Sequence, residues 1–125
     1  MGNTDLIGKS DTVYVESAVT IGSGDGTQIG PDIPDGKTRY VWRIIATGTS
    51  TAQDLAIYQG DDSDQDRYTK MRLAVVNTVD IGGDPEKPVM IIRPIKSSGS
   101  TTGNQIRVAH ETSAIKVTMN YYDLP

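Results

Sequence analysis

Cysteine is absent from the 125 residues, which excludes disulfides and thiolate metal sites and leaves packing, strand pairing and association to hold the chain together. Phenylalanine is absent too, so Trp42 and six tyrosines supply all of the aromatic packing. Histidine occurs once, at His110, and a lone imidazole without a cysteine or a second histidine cannot make an ordinary zinc site. It reads as a surface or turn residue. No apolar run approaches the roughly 20 residues of a membrane helix, and the stretch Met1-Gly2-Asn3-Thr4-Asp5-Leu6 lacks the apolar core of a secretory signal. A soluble chain with no membrane partner is expected. Leu6 stands where a myristoylated start carries Ser or Thr, so a lipid on Gly2 is not expected. An excess of cations is also missing. The balance of 12 Lys and Arg against 16 Asp and Glu gives a net charge of −4, which argues against nucleic acid as a partner.

What the chain does have is 13 glycines and 6 prolines spread among Val, Ile, Thr and Tyr, a composition of short strands joined by turns. Residues 1–11 are small and polar without a period, and read as a flexible N-terminal arm. From there the parity of apolar residues marks strands. In residues 12–21 Val13, Val15, Val19 and Ile21 share one face. In residues 38–47 Tyr40, Trp42, Ile44 and Ala46 share one face and are expected to point into the core, since a chain without Phe must fill its interior with something. Leu55 and Ile57 alternate with Ala56 and Tyr58, and Met71, Leu73 and Val75 alternate with Lys70, Arg72 and Ala74. Residues 89–92 form a short apolar run between Pro88 and Pro94, which reads as a short buried or edge-adjacent strand. Residues 105–109 and 115–122 complete the set. The expected fold is all-β, an antiparallel β-sandwich, jelly-roll or Ig-like, of about seven to eight short strands. One domain, residues 12–125, follows the arm.

Chemistry-bearing patterns are few. Asp62, Asp64 and Asp66 place hard oxygen ligands at alternating positions, as Ca²⁺ coordination needs, but the sixth and twelfth positions counted from Asp62 are Arg67 and Leu73, so an EF-hand is rejected. A different cation site and a solvated acidic loop both remain open. The glycines at 22, 24 and 26 precede no helix and are turn glycines, not a phosphate cradle. No nucleophile elbow surrounds any serine, and nothing brings Glu16, Glu86 and Glu111 together for a paired-carboxylate mechanism. No catalytic residues are expected.

The residues Ile33-Pro34-Asp35-Gly36-Lys37-Thr38, then Ile44-Ile45-Ala46-Thr47-Gly48-Thr49-Ser50-Thr51-Ala52, then Leu55-Ala56-Ile57-Tyr58 resemble small β-sandwich proteins of tailed viruses and their prophage relatives. The closing stretches Gln105-Ile106-Arg107-Val108-Ala109 and Ile115-Lys116-Val117-Thr118-Met119-Asn120-Tyr121-Tyr122 continue the likeness, which covers about residues 30–122 and consists of turn placement and strand parity. The acidic loop from Asp61 to Asp66 and the arm depart from it. The resemblance implies a virion component on the external surface, such as a capsid decoration protein, head fibre or tail accessory subunit. Such a subunit works as a symmetric homo-oligomer, with a trimer favoured, bound to a capsid or tail lattice, and it has no cofactor. The partner-binding candidates are then Asn3, Asp5, Leu6 and Ile7 in the arm, with Tyr58 and Tyr122 as outward tyrosines. Two other readings stand beside it: a carbohydrate-binding or adhesive module assisted by calcium at Asp62, Asp64 and Asp66, and an extracellular fibre subunit whose arm donates a strand.

Overall fold

The strand β3 (Thr38–Thr47) organises the molecule because it is paired along both flanks. A computed structural model describes residues 3–60, 68–95 and 103–125. It gives a short helix α1 (Asn3–Gly8) and, with β3, the strands β1 (Asp11–Glu16), β2 (Thr27–Gln28), β4 (Gln53–Gln59), β5 (Thr69–Val75), β6 (Thr78–Gly82), β7 (Met90–Ile92), β8 (Ile106–His110) and β9 (Lys116–Leu124). All pairings between strands are antiparallel. Sheet I runs β1-β9-β3-β6, with β7 in line with β6 on the same flank of β3, and sheet II runs β2-β8-β4-β5.

With the three-residue β7 set aside, the remaining eight strands, numbered along the chain, lie 1-8-3-6 in one sheet and 2-7-4-5 in the other. That is the order of a jelly roll, the first of the two expected forms. An Ig-like sandwich would keep its first two strands in one sheet, whereas β1 and β2 lie in opposite sheets.

Strand parity builds the core. Val13, Val15, Val117, Met119 and Tyr121 from sheet I meet Leu55, Ile57, Ile106 and Val108 from sheet II, and the turn residues Ile29, Ile33 and Ile115 plug the ends. Tyr40 and Trp42 are not in this core, contrary to the expectation. The pairing of β3 with β9 jumps from Val41 to Arg43 opposite Tyr121 and Asn120, so Trp42 is an extra, bulged residue. The bulge shifts parity by one. Val41 and Ile44 both point inward, and Tyr40 and Trp42 stand half-buried on the outer side.

Residues 3–8, expected as part of a flexible arm, form α1. Leu6 is buried and Ile7 exposed, and the last turn closes with main-chain bonds from Lys9 to Leu6 and from Ser10 to Ile7, both 3.1 Å. Strands β2 and β6 go beyond the sequence expectation.

Candidate interaction face

Buried polar side chains in this sandwich are latches between elements. Arg39, 1% exposed, forms a bidentate pair with Asp123 at 2.8 and 2.9 Å, donates to the Pro31 carbonyl at 2.7 Å and lies 4.1 Å over the Tyr121 ring. All five N–H directions of a guanidinium suit such planar recognition. The pair ties the end of β9 to the start of β3. Gln53 Oε1 accepts the main-chain N–H groups of Thr112 and Ser113 at 2.9 and 3.0 Å and so shapes the turn before β9. Gln59 donates to the carbonyls of Arg93 and Gly103.

His110 is not a surface or turn residue: it is buried in β8, its Nδ1 2.8 Å from Ser17 Oγ, which also accepts the Ile115 N–H at 2.8 Å. The proton in the Ser17–Nδ1 bond comes from the hydroxyl or from the ring according to the imidazole tautomer. The pair resembles a nucleophile and base only in composition. Ser17 is 1% exposed and its oxygen is held by the main chain, so its role is to join the β1–β2 connection to the β8–β9 turn.

The expected outward tyrosines are both buried. Tyr58 does point to the outer side of sheet II, as parity demands, but the segment 18–26 crosses that side. The Gly26 N–H donates to the Tyr58 hydroxyl, Ile21 N–H donates to the His110 carbonyl at 2.7 Å, and Arg107 reaches the Gly26 carbonyl at 2.6 Å. Ala56, Tyr58 and Ala109 are therefore fully buried on what would have been a wet face. Tyr122 points outward from sheet I, but its ring stacks on Tyr40 with centroids 5.2 Å apart, and its hydroxyl donates to the Pro85 carbonyl at 2.8 Å. Burial pushes the Tyr122 phenol above its usual range, with Tyr40 and Glu86 adding to the effect. Burial likewise raises Tyr121, against the pull of the Arg39 charge.

Asn3, Asp5, Leu6 and Ile7 all lie in α1. Asp62, Asp64 and Asp66 lie outside the described residues. Among the described residues no three acidic or imidazole side chains converge as metal ligands would.

Among the described residues one broad surface stays open: the outer side of sheet I between α1 and the β6 flank. The register puts Tyr14, Thr118, Ile45 and Asp80 in one row across four strands, and Thr12, Asn120, Arg43 and Gly82 in the next. Tyr14 is 56% exposed and Ile45 half-buried, and Ile91, opposite Tyr40 in β7, is 55% exposed. The polar members are already paired with each other. Arg43 binds Asp80 at 2.7 and 3.1 Å, Asn120 Nδ2 donates to Thr12 Oγ1 at 2.7 Å, and the Thr47 and Thr78 hydroxyls are 3.3 Å apart. The Asp80 carboxyl is held below its usual range by its hydrogen bond to Arg43. A face of this kind loses little on being covered, because its hydrogen bonds survive the removal of water while Tyr14 and Ile45 gain apolar contact. The candidate list from sequence missed Tyr14 and Ile45, although both stand at outward parity in clear strands. The available signal was a large apolar residue at a position where the alternation calls for a polar one.

No protein-family model matches the chain, and no curated protein is significantly similar to it.

Proposed function

We propose that the protein is a structural subunit of a virion, a capsid-decorating or other accessory subunit, that works by self-association and by covering a protein lattice with the outer face of sheet I. The observation that carries the reading is the placement of Tyr14 and Ile45 among polar side chains of which Arg43 and Asp80, and Thr12 and Asn120, pair with each other. The jelly-roll strand order and the resemblance over residues 30–122 support it, since this architecture recurs in viral capsid domains. A homotrimer is the assembly that suits three-fold lattice positions.

The β7, β5 and β1 edges favour contact through a face over donation of a strand. The β7 edge is bracketed by Pro88 and Pro94, β5 carries Lys70 and Arg72, and β1 begins with Asp11 and ends with Glu16, so an antiparallel copy of β1 would set like charges opposite each other. This weighs against the fibre reading.

The test is the mass of the protein in solution by light scattering at several concentrations, with calcium and with a chelator. A discrete oligomer indifferent to calcium is the expected result. A monomer whose state changes with calcium would move the assignment to a metal-assisted binding module.

A further inference from the structure

The seat of α1 adjoins the open face and is tied to the chain's one tryptophan through Ser10. Trp42 Nε1 donates to Ser10 Oγ at 3.0 Å, and Ser10 Oγ donates to the Leu6 carbonyl at 2.7 Å, so the indole, the hinge residue and the helix are linked in one hydrogen-bonded line. Leu6 is the buried anchor. Six residues of helix cannot persist without such a seat, because a helix this short does not recover its cost of nucleation. Leaving the seat breaks no strand pairing, as β1 begins only at Asp11. Segments of this kind, held by one buried side chain and a few bonds, are at the low end of local stability. The helix also carries Ile7, 55% exposed on its own body.

We propose that α1 is an exchangeable strap: the segment ahead of β1 leaves its seat beside Trp42 and is received at the same seat on a second copy of this chain. The occupant fits by construction, because the identical segment fills the seat within a single chain, and exchange of an identical element is a low-cost route to association. In the exchanged form Leu6 fills the seat of the neighbour, and Ile7, uncovered on the single chain, lies between the two bodies. The inference rests on the self-association proposed above and adds the α1 strap to the sheet I face as a second contact within it.

The absence of native cysteine and the presence of one tryptophan make the exchange readable in the full chain. A Trp-free chain, Trp42→Phe, is given the substitution Ile7→Cys and labelled there with a nitroxide, a contact quencher of indole emission, and is mixed with the unlabelled wild type. The Ile7 carbonyl bonds the Ser10 N–H, and Ser10 holds Trp42, so a label at this position is carried to the seat. The same label on a chain that retains Trp42 sets the level of full quenching. The expected result is a loss of wild-type Trp42 emission that grows with the amount of labelled chain, approaches that level, and disappears when the labelled chain also carries Leu6→Asp. Association seen by light scattering with no loss of emission in the mixture would overturn the strap and leave the self-association reading standing. A single-copy mass throughout would overturn both.

Discussion

Arg39 shows how one residue can fix a register that apolar packing alone leaves loose. Its charge is buried against a partner, Asp123, that is 17% exposed, and its third arm holds Pro31, so three distant segments depend on one side chain. Removing one member of such a pair strands the other, and Arg39→Met is expected to cost about 3 kcal/mol in denaturant unfolding. The double variant with Asp123→Leu should recover most of that loss. Gly26 makes a second residue-scale case: a Cβ there would meet the Tyr58 hydroxyl and the Val108 carbonyl. Gly26→Ala should destabilise by about 1–3 kcal/mol, the range for forcing extra volume into a filled site, and Tyr58→Phe in the same chain should relieve part of it. Tyr121 and Tyr122 link stability to alkaline pH. Their phenols are raised in the folded chain, so the unfolded chain ionises first; their contribution is complete below the ordinary value near 10 and is lost as pH climbs through the raised folded values. Tyr122→Phe should flatten that decline, measured as unfolding midpoint against pH.

Among the elements, β3 separates what parity reveals from what it hides. The apolar alternation of β1, β4, β5 and β9 is visible in the residues themselves and survives in the fold. In β3 the same alternation misplaces Tyr40 and Trp42, because a bulge adds one residue and no local signal at Trp42 announces it. Beside the bulge, Gly82 pairs with Arg43 at φ +81°, where a Cβ would run into the Trp42 carbonyl. Gly82→Ala is therefore expected to cost about 1–3 kcal/mol of backbone strain and to shift Trp42 emission, because it presses on the bulge. Other elements were hidden for plainer reasons. The helix α1 is too short for a period to emerge, β2 is two residues long, and β6 shows its alternation of Val79 and Ile81 for only five residues. Tyr58 differs from its expected exposure because the segment 18–26 that covers its outward face is distant in sequence, whereas His110 shares the inward parity of Ile106 and Val108 and is buried opposite Leu55.

On the scale of the whole molecule, the sandwich class follows from strand number and turn spacing, while the jelly-roll order does not, since jelly-roll and Ig-like sandwiches use similar strands and differ in which ones become neighbours. That order bears on the proposed function. It places β1, β9, β3 and β6 side by side, which gathers Tyr14, Thr118, Ile45 and Asp80 from four separated stretches into one row. The covered middle of sheet II and the guarded edges leave this face as the surface through which association is proposed. The measurement that tests the central claim most directly is the solution mass of wild type against Tyr14→Glu, an exposed site where the substitution should leave unfolding stability within about 0.5 kcal/mol. The account predicts a discrete oligomer for the wild type and a shift toward single chains for Tyr14→Glu at the same concentration, with equal unfolding midpoints once both are diluted to single chains. Equal masses for the two proteins would contradict it.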